Sequence, residues 1–427
     1  MRKAGVSWPA AWGFVAALLL AAGCAEHVPV AEPTKASPPV ATEVKPPPPP
    51  LSPAPAPPAP ATIKPPRFEH PPVIRIWLAD ASPAPEISCL KPCRIQPVGG
   101  MGRNLLKLGP VKARLAPGGL QLGKEIYKCA AMEFQANAEG GLKIDGRCYY
   151  GAIRLVRAGE SLAVINVVDL EQYLLGVLGS EMPHDWPRES LKAQAVAART
   201  YALFQHLQRS GFEWDLMSTV EDQVYGGGRA KPPVAAAVAA TRGEVLVHDG
   251  GLFPAFFHST CGGQTERPGK ALGKSEYDFL EGVPCEWCKA SPYYEWRAFL
   301  GASDLAAKLS AAGVAAGRIT GLTAEGAVPA RQTEGGQAGG RGVRLVWAGG
   351  EMEVPIVDFR RAVGQMTIRS GKFECRAQNG GFLFIGRGFG HGAGMCQYGC
   401  KGMAEAGYDY RRILDYYYRN AELEKLY

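Results

Sequence analysis

One carboxylate stands apart in the run LGSEMPHDWPRESLKAQAVAARTYAL, residues 178–203. Glu181 lies between a small residue and a Met-Pro pair, and Pro183 stops the helical pattern that precedes it. A side chain at such a break faces a cleft. Packed among Leu178, Met182 and Trp186, its carboxyl would lose hydration, hold its proton at higher pH and serve as a general acid near neutrality. The plainer alternative is a helix-end glutamate in an ion pair with Arg188 or Lys192.

A second group of residues sits in GRGFGHGAGMCQYGC, residues 386–400, where glycines surround His391 and lead into Gln397 and Tyr398. Glycine at this density marks tight turns or the close approach of a ligand. A phosphate loop is excluded, because the lysine and the spacing it needs are missing. The third group is His258, Cys261, Cys285 and Cys288, an H-x2-C followed after 23 residues by C-x2-C. That spacing suits a closed, structural zinc site. Disulfides compete on equal terms: an exported chain meets an oxidising compartment, and the ten cysteines from Cys89 to Cys400 would allow five bridges.

The elements that must position these groups follow from periodicity. A strand near 162–168 passes into a helix capped by Asp169 and closed by Pro183, with Tyr173, Leu174, Val177 and Leu178 on one face. A second helix is expected over 187–208, capped by Asp185 or Trp186, with alanines spaced for close packing. Glu181 falls at the turn between the two. Short strands dominate 71–159, and 160–427 mixes strands with helices, including helices near 302–312 and 409–418. This order predicts an α+β fold with a β-rich N-terminal region and a mixed core.

Ahead of this, residues 1–23 have the charged, apolar and small-residue segments of a secretory signal, and Cys24 follows Ala-Ala-Gly as in a lipidated cysteine. Residues 24–70 are rich in proline and alanine, with too little apolar surface to fold. They read as an extended stalk with a reach on the order of 100 Å. The chain of 427 residues is 46% hydrophobic and 20% charged, enough for a sizeable core. A net charge of +7 without a concentrated basic block argues against nucleic acid as a partner.

Taken in order, YYGAIRLV, VVDLEQYLLGVLGSEMP, LKAQAVAARTYAL, DQVYGG, FFHSTCGGQTE, DFRRAVG and the glycine-rich C-terminal stretch resemble the SpoIID/LytB family of bacterial cell-wall proteins. The resemblance implies a lytic transglycosylase that cuts the MurNAc-GlcNAc bond of peptide-free glycan strands and leaves a 1,6-anhydro end. Glu181 matches the family's single acid, and no cofactor is required for that chemistry. Arg199, Gln223, Tyr225, His391, Gln397 and Tyr398 become candidates for the glycan groove, Arg199 for the lactyl carboxylate. Gln194 and Tyr201 match as well but are expected to face the core with equal weight. Zinc sites of Cys and His occur in part of the family. The alternative is a non-catalytic, peptidoglycan-binding amidase enhancer acting with a cell-wall amidase, or a wall-tethering lipoprotein. The signal, Cys24 and the stalk lead to the expectation of an exported lipoprotein of the cell envelope, anchored in the outer membrane.

Overall fold

The computed structural model describes residues 62–427 apart from 80, 99–102, 138–139, 229, 315–316 and 328–340. The signal segment, Cys24 and nearly all of the stalk lie outside the described residues. Among those described, no helix is long and apolar enough to cross a membrane. The fold is α+β, as the order of elements predicts.

Its centre is a seven-stranded sheet in which strand Ser161–Asp169 pairs antiparallel with Val73–Trp77 on one side and Ala152–Ala158 on the other. The Ala158 to Ser161 turn is one hairpin, so the β-rich region and the mixed core share this sheet. A six-stranded sheet, built from segments between Glu86 and Tyr149, adjoins it. Strand Ser161–Asp169 buries Ala163, Val164, Ile165 and Asn166 in succession, so both of its faces are covered. The polar member, Asn166, donates to the carbonyls of Tyr150 and Ala152 at 2.9 Å and accepts the Tyr225 hydroxyl at 2.7 Å, which offsets its burial.

Helix α1 (Leu170–Glu181) starts directly from this strand, with Asp169 accepting the Gln172 N–H as expected of the cap. Helix α2 (Arg188–Gln208) begins one residue later than predicted, with Pro187 rather than Asp185 or Trp186 as its cap. Every residue from Ser190 to Gln205 except Lys192 is buried. The helix is enclosed on all sides although it carries Gln194, Arg199, Thr200 and Gln205, and the alanines at 193, 195, 197, 198 and 202 let neighbours approach closely.

Those neighbours include helix α3 (Pro232–Ala240), which the pattern reading missed because PPVAAAVAA has no polar face to mark a period. After the short α4 (Pro268–Leu272), residues 295–387 form a lobe with its own core of Trp296, Leu309, Phe359 and Phe384. Helices α5 (Ala302–Ala311) and α6 (Ile356–Val363) pack there against two three-stranded sheets. The chain then returns to the main body through α7 (Gln397–Glu405) and α8 (Tyr410–Tyr417), the latter capped by Asp409. Of the ten cysteines from Cys89 onward, only Cys89 and Cys93 are bonded to each other; the other eight are thiols.

Candidate functional site

Glu181 is the last residue of α1. Met182 leaves the helix in extended conformation, and the Trp186 N–H closes a turn onto the Pro183 carbonyl before α2 begins. Met182, Leu191 and Ala237 form a small buried cluster under this turn, with Trp186 packed on it. The half-buried Glu181 accepts the Val224 N–H at 2.9 Å on Oε1 and the Gln397 side-chain amide at 3.2 Å on Oε2. Among the described residues it has no cationic partner. Lys192 instead pairs with Glu189 at 2.6 Å. Burial pushes the Glu181 carboxyl above its ordinary range, outweighing the two hydrogen bonds that favour the carboxylate. This environment suits a general acid rather than a helix-end ion pair.

The loop that brings Val224 to the carboxyl is clamped on either side. Gln223 is buried, accepting the Tyr173 hydroxyl at 2.9 Å and donating to the Ala198 carbonyl. Tyr225 is buried too, hydrogen-bonded to Asn166, with its ring tilted against that of Tyr173 at 5.0 Å. An added Cβ at Gly176 would meet the Tyr225 ring at 2.5 Å, so α1 needs glycine where the loop crosses it.

Gln397 is placed by the start of α7. Strand Met395–Cys396 pairs parallel with Phe257–His258, and the Sγ of Cys396 caps α7 by accepting the Gly399 N–H at 3.3 Å. That sulfur also accepts the Cys261 N–H at 3.2 Å. Around it converge Cys261, Cys285 and Cys288, so that four buried sulfurs lie within 4.8 Å of one another. An ion with bonds of about 2.3 Å to sulfur in tetrahedral array sets its ligands roughly 3.8 Å apart, and the set fits such an ion. Two of the backbone donors aimed at the cluster would stabilise thiolate sulfur. His258 is not part of this set. Its Nδ1 is engaged by the Ala393 carbonyl at 3.0 Å, and burial drives its pKa well down. The fourth sulfur comes from the start of α7 instead.

A family model described as stage II sporulation protein matches residues 158–248, the stretch holding Glu181, α2 and the Val224 loop. A stage II sporulation protein D of Bacillus amyloliquefaciens is 31% identical over 280 residues, covering 61% of this chain and 76% of that protein. This chain belongs to the SpoIID/LytB family. An uncharacterized protein of Brachyspira hyodysenteriae is similar at 31% over 287 residues, 67% of this chain and 74% of its own length. An amidase enhancer of Bacillus subtilis is 27% identical over 326 residues, 66% of this chain and 45% of its own length.

For this SpoIID/LytB chain, several groove assignments need correction. Arg199 is fully buried, its guanidinium held by both Glu171 oxygens at 2.8 and 2.9 Å and by the Glu244 carbonyl, so it cannot meet a substrate carboxylate. Burial raises the Glu171 pKa, but Arg199 and Tyr427 outweigh this and hold the carboxyl below its ordinary value. Gln223 and Tyr225 act on the protein's own loop rather than on a ligand. His391 has both ring nitrogens engaged, Nε2 by the Phe257 carbonyl at 2.9 Å and Nδ1 by the Ala393 N–H, and burial lowers its pKa to about 4. It shapes the glycine-rich loop as a neutral ring. Gln397 contacts the acid itself, and Tyr398 remains half-exposed. Gln194 and Tyr201 are core residues. The Val224 amide was missed, since a backbone donor leaves no mark in a sequence.

Two outcomes follow from this arrangement. Arg199→Met should destabilise the fold by about 3–5 kcal/mol by stranding Glu171, read as a drop in the denaturation midpoint; an unchanged midpoint would restore Arg199 to a ligand role. Gln397→Met removes a donor that favours the carboxylate, so the Glu181 carboxyl should titrate at higher pH than in the parent. Carbon-13 NMR of labelled glutamate reads that midpoint directly, and no upward shift would mean that the 3.2 Å contact does not bear on the acid.

Proposed function

We propose that the protein is a peptidoglycan lytic transglycosylase with Glu181 as its single acid and base. The observation that carries this reading is a desolvated carboxyl held by two neutral donors and, among the described residues, by no cation. Protonated Glu181 gives its proton to the glycosidic oxygen as the bond from MurNAc C1 to that oxygen breaks. The resulting carboxylate takes the proton of the C6 hydroxyl while O6 bonds to C1. GlcNAc leaves with a free 4-hydroxyl, MurNAc is left as the 1,6-anhydro sugar, and Glu181 is again protonated. No water is consumed, so the second carboxylate of a glycoside hydrolase has no task here. Val224 and Gln397 steady the charge in the carboxylate stage.

A second reading, a non-catalytic amidase enhancer that binds glycan and a cell-wall amidase, draws support from the relative so named. We also propose that Cys261, Cys285, Cys288 and Cys396 hold a structural zinc, which would supply cross-linking of three chain segments and no step of the reaction. The lipoprotein anchor and an outer-membrane location belong to the same proposal, resting on the signal segment, Cys24, the Ala25 and Glu26 that follow it in place of a retention aspartate, and the stalk.

Full-length protein incubated with peptide-free glycan strands should yield anhydro-ended fragments by mass spectrometry, and Glu181→Gln should yield none. The rate should fall as pH rises through the raised Glu181 pKa, because only the protonated form can start the cycle. Reducing-end products would show hydrolysis instead, and strand binding without products would favour the enhancer. Native mass spectrometry should find one zinc per chain, retained in His258→Ala and lost in Cys396→Ser. Metal-free protein with oxidised Cys285 and Cys288 would overturn the zinc assignment.

A further inference from the structure

With Arg199 buried, the groove lacks the cation that the sequence resemblance assigned to the substrate carboxylate, and its aromatic candidates reduce to Tyr398. The surface beside Glu181 supplies replacements for both. Trp186 and Tyr398 are half-exposed and meet edge to face with ring centroids 4.9 Å apart. Trp186 stands on the turn that leaves Glu181, and Tyr398 follows Gln397, whose amide holds the carboxyl. Neither the indole N–H nor the phenol hydroxyl has a hydrogen-bond partner among the described residues. An apolar ring face with an unengaged polar edge suits a sugar, which offers C–H groups on its face and hydroxyls around its rim.

Lys401 lies one helical turn beyond Gln397 and Tyr398 on the same side of α7, with its ammonium 6.0 Å from the centre of the Trp186 ring. Its ion pair with Glu405 is the half-exposed i,i+4 kind that contributes little and yields readily to another anion.

We propose that Trp186, Tyr398 and Lys401 form one subsite for a sugar that carries a carboxylate: the aromatic pair seats the ring, and Lys401 reads the acid group. This rests on the proposed action on glycan strands and adds the choice of MurNAc over GlcNAc at this position. Trp186 is anchored on Met182, Leu191 and Ala237, so the platform is fixed to the same turn that carries the acid.

The test measures binding by calorimetry in the full-length Glu181→Gln background, where no turnover intervenes. Two probes are used, peptide-free glycan strands and a neutral GlcNAc hexamer. Trp186→Ala should weaken both by about tenfold or more, with Trp186→Phe in between and guarding against loss of the fold. Lys401→Met should weaken the glycan strands several-fold and leave the hexamer unchanged. Unaltered affinity in folded Trp186→Ala would overturn the platform, and equal effects of Lys401→Met on both probes would overturn the carboxylate assignment. The proposed catalysis fails separately: wild type that binds strands in a Trp186-dependent way but releases no anhydro products keeps the subsite and loses the reaction. Anhydro products with no dependence on Trp186 would mean the reverse.

Discussion

A carboxyl group that is to keep its proton near neutrality must lose water without gaining a cation, and most of the architecture around Glu181 serves that constraint. Three segments far apart in sequence enclose it: the end of α1, the Val224 loop and the start of α7. Among the described residues no cation pairs with it, and the buried or half-buried cations of α2 and the turn after it have acidic partners of their own. Arg199 is taken by Glu171, Lys192 by Glu189 and Arg209 by Asp222.

The glycines near α7 answer a different demand. A Cβ at Gly399 would lie 2.0 Å from the Tyr417 hydroxyl oxygen and 2.6 Å from the Cys285 sulfur, and one at Gly402 would lie 2.4 Å from the Trp287 carbonyl. Gly394 meets the Phe256 carbonyl at 2.0 Å in the same sense. The helix therefore lies directly on the cysteine knuckle, and glycine density here reports chain against chain rather than chain against ligand. Because Cys396 belongs to the cysteine cluster and Gln397 contacts Glu181, the position of one sulfur is transmitted to that carboxyl through a single peptide unit.

What could be read in advance was local. The Asp169 cap, the two helices and the break after Glu181 are all set by neighbours within a few positions; only the cap of α2 moved, to Pro187. The partners that decide the groove roles are remote. Arg199 reads as a groove cation until Glu171, 28 positions away, is seen to hold it. His258 completes a metal spacing on paper, yet the sulfur that joins Cys261 comes from 135 positions later. Helix α7 went unread because its glycines argue against a helix in isolation, and only the knuckle beneath makes them favourable. Trp186 was seen as padding for the acid; its pairing with Tyr398 required knowing that α7 returns to the same turn.

The lobe of residues 295–387 leaves and rejoins the body through one antiparallel pair, Glu295–Gly301 against Gly381–Arg387, matched along its whole length. Its two ends are therefore neighbours, the geometry at which inserted modules are accepted and exchanged. Two further crossings tie the lobe down, one of them the ion pair of Arg341 with Glu266 at 2.8 Å. Ser370 bridges to Gly390, and Lys372 donates to the Cys261 carbonyl, so residues 370–372 brace the loop that feeds the knuckle. Changes of length in the helices and outer hairpins of the lobe, away from Arg341 and residues 370–372, would leave the body's contacts in place, while a change in that short brace would be felt at the cysteines it supports.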